Sequence, residues 1–135
     1  VGYVSNVTLK AATYDWRLFG DPCWTEGFFK SLQAMIEETS AQNAGLPAKL
    51  ACHSMGCQML HLFLSGASAE WKARYVDSLL ALAPTFGGSS KVLSQWISGP
   101  NYPILPLSVE NLGRRASGTW PSLLALLPRN LPGVP

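Results

Sequence analysis

Apolar positions along the chain follow two different spacings. Phe28, Phe29, Leu32, Met35 and Ile36 recur at i, i+1, i+4, i+7 and i+8, which puts them on one stripe of a helix. Lys30, Gln33, Glu37 and Glu38 occupy the opposite face. Asp21 suits the N-cap of this helix and Pro22 its first turn, and Gly45-Leu46-Pro47 ends it. Met55, Met59, Leu62 and Phe63 repeat the helical spacing up to about Ser65, and Ser68 caps a short helix through Glu70, Trp71 and Lys72. Ala48–Cys52, set off by Pro47, and Val76–Ala83, ended by Pro84, are short runs that read as strands. Tyr3 to Leu18 reads as a loop.

The order helix, strand, helix, strand predicts an α/β fold with a parallel, doubly wound sheet. Thr85-Phe86-Gly87-Gly88-Ser89-Ser90 follows the second strand, at the sheet edge where ligand-contacting loops gather. Beyond Lys91 the pattern dissolves. Pro100, Pro103, Pro106, Pro121, Pro128 and Pro132 among scattered Trp, Leu and Gly predict an irregular cap or lid segment rather than more sheet. The expected division is a core over 1–90 and a cap over 91–135.

Lys49-Leu50-Ala51-Cys52-His53-Ser54-Met55-Gly56-Cys57 carries the candidate chemistry. A strand runs into a tight turn with serine at its apex, and a helix follows. This is the arrangement of a nucleophile elbow in an α/β-hydrolase, with Ser54 presented for attack on an ester carbonyl. The turn demands small residues two before and two after the serine. Gly56 is one; Cys52 stands where glycine is usual. The Met55 backbone N–H, just after the nucleophile, is a candidate oxyanion donor. Neither histidine suits the role of base. His53 leaves the turn in another direction from Ser54, and His61 lies about two helical turns on, roughly 10 Å along the helix. Asp15 and Arg17, between Tyr14 and Trp16, suit a packed loop in which they satisfy buried backbone groups; lining the acyl site is the other reading. Asp77 reads as a strand-end residue. Phe86, Gly87 and Gly88 either border a substrate site, where glycine lets backbone approach a ligand, or form a simple turn.

Composition narrows the classes. Among 135 residues, 47% are hydrophobic and 13% charged, which suits a piece covered by further segments. The opening Val1-Gly2-Tyr3 and closing Pro132-Gly133-Val134-Pro135 predict an internal part of a longer protein, since a complete hydrolase sheet needs more chain. A net charge of +2 gives no argument for nucleic acid. No apolar run approaches the ~18 residues of a membrane span. Cys23, Cys52 and Cys57 make neither a metal spacing nor an even disulfide framework, so Cys52 and Cys57 are expected as free, buried thiols. Asn6-Val7-Thr8 is a glycosylation sequon that suits a secretory compartment.

Four strings in order carry a further resemblance: Gly2-Tyr3-Val4, Tyr14-Asp15-Trp16-Arg17-Leu18, His53-Ser54-Met55-Gly56-Cys57 and Ala83-Pro84-Thr85-Phe86-Gly87-Gly88-Ser89. Together they resemble the lecithin:cholesterol acyltransferase family over nearly the whole chain, fading in the proline-rich tail. The resemblance implies a partial α/β-hydrolase fold, with Ser54 as nucleophile of a Ser-Asp-His triad. The aspartate and histidine are expected further along than residue 135, and a second oxyanion donor upstream of Val1. Cys52 and Lys49 depart from the family pattern. The implied reaction moves a fatty acyl group from a phospholipid, through an ester on Ser54, to a sterol, a diacylglycerol or water. Implied partners are phospholipid and lipid alcohol substrates at a membrane or lipoprotein surface, with no nucleic acid. No metal or organic cofactor is implied, and the secretory pathway, lysosome or exterior is the expected location. A neutral lipase or thioesterase, and a non-catalytic protein, are the competing readings.

Overall fold

The computed structural model describes residues 2–98 and 115–129. The chain divides into two compact units, Val1–Tyr14 with Pro22–Pro84, and Asp15–Asp21 with Thr85–Pro135.

The first unit is built on helix α1 (Pro22–Gln42), strand β1 (Ala48–His53), helices α2 (Met55–Gly66) and α3 (Ala69–Tyr75), and strand β2 (Val76–Leu82). The α1 stripe does what its spacing requires. Ile36 is buried with Leu60 and Phe63 of α2, and Phe29, Leu32, Leu50, Trp71 and Tyr75 pack around them. Each such side chain contributes about 1.5–3 kcal/mol on burial. Phe63 meets Phe29 and Trp71 edge-on, with ring centroids 5.5 Å apart in each pair, the arrangement that aromatic quadrupoles favour. Trp71 also donates its indole N–H to Glu37 Oε1 at 2.7 Å, tying α3 to α1.

Helix α1 ends at Gln42, before the expected Gly45-Leu46-Pro47. Ala44 already takes a left-handed φ of 58°, and the Gly45 N–H folds back onto the Ser40 carbonyl at 2.8 Å. Ser68 caps α3 as expected, its hydroxyl accepting from the Trp71 N–H at 3.1 Å. Glu70 in the first turn and Lys72 and Arg74 in the last complement the helix dipole.

β1 and β2 pair in parallel, from Ala48↔Val76 to His53↔Leu82, with an irregularity between Ala48 and Lys49. The α2–α3 connection makes them one βαβ unit. The doubly wound sheet expected from the element order is present, among the described residues, only as this pair. The strand faces are only partly covered: Leu79, Leu80 and Leu82 are 44%, 58% and 50% exposed. Two strands give each other hydrogen bonds but cannot cover each other's faces. Lys49 is exposed and pairs with the Asp77 carboxylate across the strands. Asn6 sits exposed on a tight turn with φ 61°, its N–H bonded to the Leu9 carbonyl at 2.8 Å.

In the second unit a 3-10 helix spans Trp16–Leu18, and Trp16 meets Trp120 edge-on at 4.9 Å between centroids. Where the prolines predict irregular chain, the described residues hold helices α4 (Ser90–Ser98) and α5 (Pro121–Ala125). Pro121 takes the first turn of α5, where its missing N–H costs nothing. Pro100, Pro103, Pro106 and Pro132 lie outside the described residues. Among the described residues of this unit, Phe19, Val92 and Leu123 are the buried apolar ones. No helix among the described residues is long and apolar enough to cross a membrane.

Candidate active site

Strand β1 stops at His53 and helix α2 starts at Met55, so a single residue turns the chain. That residue is Ser54, with φ 53° and ψ −125°. Such a conformation is rare for a residue with a Cβ and costs about 1–3 kcal/mol, so surrounding structure must impose it. Here the Ser54 N–H donates to the Leu82 carbonyl at 3.0 Å, pinning the apex to the end of β2. The Cys57 N–H donates to the Ser54 carbonyl at 3.0 Å and closes the first turn. Met55, Cys57, Met59, Leu60 and Phe63 are buried and anchor the helix that follows. The Ser54 side chain makes no capping bond to that helix.

The Met55 N–H is the first donor of α2, one of the groups that a helix N-terminus leaves without an internal partner. None of the turn and cap bonds of the elbow uses it. Gly56 satisfies the demand for a small residue with room left over. A Cβ there would lie 3.5 Å from the Tyr14 hydroxyl, an ordinary contact. Burial pushes the Tyr14 phenol above its usual range.

Cys52 and Cys57 are not free thiols. The structure joins them in a disulfide, with Cα atoms 4.9 Å apart across the turn. The expectation counted three cysteines and found no even framework; five residues of separation around a sharp turn nevertheless bring this pair together. The tight strand–helix reversal was the signal available in the sequence. Cys23 is free and exposed.

His53 and His61 are both exposed. Asp15 and Arg17 take the structural role expected of them, though the backbone group they satisfy is exposed rather than buried. They bond to each other, with Arg17 Nε 2.8 Å from Asp15 Oδ1 and Nη2 2.6 Å from Oδ2. Asp15 Oδ1 also accepts the Arg17 N–H at 3.1 Å, capping the 3-10 helix. That pairing, led by the Arg17 side-chain hydrogen bond, holds the Asp15 carboxyl below its usual range. Asp77 is taken up by Lys49 and by the Ser78 hydroxyl at 2.8 Å.

Ser54 and Met55 thus share one elbow in the first unit, while Phe86, Gly87 and Gly88 belong to the second. Their loop is held by backbone: Gly88 N–H to Thr85 O at 2.9 Å, Ser89 N–H to Leu126 O at 2.8 Å and Arg129 N–H to Gly87 O at 2.9 Å. Gly88 has φ 87°, and a Cβ there would fall 2.4 Å from the Leu127 carbonyl oxygen. Its glycine is required by this close approach.

A cavity of about 880 Å³ lies in the first unit, with Phe28, Leu32, Leu50, Met59, Leu79 and Leu80 among its apolar lining. Cys52, His53 and Gly56 bring its wall to the elbow. No cluster of metal-binding side chains occurs among the described residues.

Comparison with known proteins gives this geometry a context. The family model for lecithin:cholesterol acyltransferase matches residues 1–133. The chain belongs to the lecithin:cholesterol acyltransferase family. It is 39% identical to human phosphatidylcholine-sterol acyltransferase over 100 residues, covering 74% of the chain and 22% of that protein. It is 35% identical over 133 residues to the dog lysosomal phospholipase A and acyltransferase, covering 96% of the chain and 31% of that protein. A lecithin-cholesterol acyltransferase-like protein of Arabidopsis thaliana is 33% identical over 132 residues, covering 94% of the chain and 30% of that protein. The chain therefore spans less than a third of each of these relatives. The family is one of acyltransferases and phospholipases, and the elbow falls inside the matched region.

Proposed function

We propose that the whole protein is a lipid O-acyltransferase or phospholipase of α/β-hydrolase fold, acting through an acyl ester on Ser54. The observation that carries this reading is the strained Ser54 backbone at a one-residue strand–helix junction, inside a chain of this family. A serine held in that conformation projects its Oγ from the apex of the turn, where an ester carbonyl can reach it. Attack places negative charge on the carbonyl oxygen. The unused Met55 N–H is suited to stabilise it, together with a donor from elsewhere in the protein.

A histidine and an aspartate outside this chain take the Ser54 proton and hold the imidazole in place. The exposed positions of His53 and His61, and the prior engagements of Asp15 and Asp77, support looking elsewhere for them. Collapse of the tetrahedral intermediate leaves the acyl group on Ser54 and releases the lysophospholipid. Transfer to a sterol or diacylglycerol makes an acyltransferase; transfer to water makes a phospholipase. Phe86, Gly87 and Gly88 border the lipid site, and the chain from 91 to 135 contributes to the cap over it. The substrates are presented by a membrane or lipoprotein surface. No metal ion enters the mechanism.

Further strands add to the β1–β2 pair, and the exposed Leu79, Leu80 and Leu82 support that arrangement. The protein passes through the secretory pathway to the lysosome or exterior. The exposed sequon turn at Asn6 and the Cys52–Cys57 disulfide favour this. Enzymatic removal of N-linked glycan lowers the mass of the natural protein by one glycan more than it lowers that of an Asn6→Gln variant; the same loss from both would contradict it.

The deciding experiment uses full-length protein and phosphatidylcholine vesicles with labelled acyl chains, with and without sterol. Ser54→Ala lowers acyl release at least ~10³-fold with unchanged circular dichroism. Retained turnover by that variant would overturn the reading. Turnover of soluble short-chain esters without turnover of vesicles would point instead to another class of serine hydrolase.

A further inference from the structure

The disulfide encloses the six residues Cys52-His53-Ser54-Met55-Gly56-Cys57, so Ser54 lies inside a small covalent ring. The separation of the Cα atoms, 4.9 Å, falls within the roughly 4.4–6.8 Å that such bridges span. One end of the ring is the penultimate residue of β1, the other lies in the first turn of α2. Cys52 Sγ lies 3.7 Å from the Leu80 carbonyl and Cys57 Sγ 3.8 Å from that of Leu82. A disulfide sulfur has no proton, so these are packing contacts rather than hydrogen bonds. They seat the ring against the same end of β2 that holds the Ser54 N–H.

Three restraints therefore act on the strained serine: two backbone hydrogen bonds and one covalent bridge. Water competes for the hydrogen bonds and not for the bridge. Cys57 is only 1% exposed, so its end is fixed in the packed body of α2. Cys52 lines the apolar cavity, so reagents have an approach from that side. The cysteine at the position usually held by glycine thus replaces freedom of the turn with a fixed tether.

We propose that the Cys52–Cys57 disulfide is a clip that positions Ser54 for attack, making both cysteines positioning residues. The proposal rests on the reading of Ser54 as nucleophile. Opening the clip lets the apex relax, moves Oγ away from the attacking geometry and slows acylation, while the lipid-binding surfaces stay in place. Opening it takes a dithiol reductant. A reagent thiolate attacks one protein sulfur, breaks the S–S bond and expels the other sulfur as a thiolate. The reagent's second thiolate then displaces the first protein sulfur. Two electrons pass to the protein, both cysteines end protonated from solvent, and the reagent leaves as its cyclic disulfide.

The test uses full-length protein made through an oxidising compartment. Alkylation without reduction, followed by peptide mass spectrometry, reads the pair directly. Cys52 and Cys57 resist alkylation until a dithiol is added. Reduction then lowers kcat, and the rate at which a fluorophosphonate labels Ser54, by about tenfold at unchanged KM. Reoxidation restores both. The Cys52→Ala/Cys57→Ala double variant matches the reduced enzyme and ignores the dithiol, which separates this pair from any other disulfide in the protein. Two free thiols in the unreduced protein would overturn the proposal. So would unchanged kcat after reduction, or a loss of rate that only tracks loss of folded protein. Ser54→Ala assayed in parallel keeps the two failures apart. Activity retained there defeats the nucleophile reading, whereas an inactive Ser54→Ala with a redox-insensitive wild type defeats the clip alone.

Discussion

Helix α2 buries six of its twelve residues, whereas β2 buries none fully and leaves Leu79, Leu80 and Leu82 about half exposed. Both elements are rich in apolar residues and lie in the same unit. The difference is in their neighbours. α2 is covered by α1, α3 and the sheet, all supplied within about forty residues on either side. Among the described residues, β2 has one strand beside it. The part that presents Ser54 is therefore assembled from local chain, while the surface around it depends on contacts that the described residues do not supply. A nucleophile elbow asks for local rigidity, and here its rigidity is satisfied locally.

That contrast makes testable demands on the full-length protein. Phe63 joins α1 to α3 through two ring contacts and is 6% exposed. Phe63→Ala lowers stability in chemical denaturation by about 3–5 kcal/mol. A loss below ~1 kcal/mol would mean that α2 is not held by this local cluster. Next in size is Gly88, whose left-handed φ is locked against Leu127. Gly88→Ala costs about 1–3 kcal/mol from backbone strain alone, with the carbonyl clash added; an unchanged melting temperature would contradict the contact.

A smaller effect comes from Glu37. Hydrogen bonds from Gln33 and then Trp71, with the charge of Arg74, hold its carboxyl below the ordinary value of 4.5. A lowered folded pKa means that the carboxylate form is the one stabilised. Its contribution is complete above that ordinary value and disappears as pH falls through the lowered one. Trp71→Phe keeps a ring against Phe63 and removes one donor. It weakens the protein near neutral pH, and the gap to wild type narrows as pH falls below that ordinary value. A gap that widens with acid would reverse the sign of the argument.

Much of the first unit was legible in the sequence because its signals are local. The i, i+4, i+7 spacing located α1 and α2, Ser68 located the start of α3, and Pro47 and Pro84 bracketed the strands. The elbow could be read because a one-residue strand–helix reversal leaves its mark in a few adjacent positions. The remainder depended on geometry that spacing does not encode. Ala44 entered left-handed space and ended α1 early. Asp15 and Arg17 turned toward each other because their side chains reach over two residues, which satisfied both without any buried backbone group. The loss of a clear pattern beyond Lys91 hid α4, and the prolines hid α5, since Pro121 starts a helix as readily as it ends one. The disulfide escaped a count of cysteines because what matters is the 4.9 Å between Cα atoms, and a turn sets that distance.

The central claim is that Ser54 is the residue that becomes acylated, and covalent capture reads it most directly. Full-length protein treated with a fluorophosphonate and digested is expected to carry one adduct at Ser54. Phosphatidylcholine vesicles should slow its formation, and Ser54→Ala should remove it. An adduct on another serine, or undiminished lipid turnover with Ser54 unlabelled, would contradict the account.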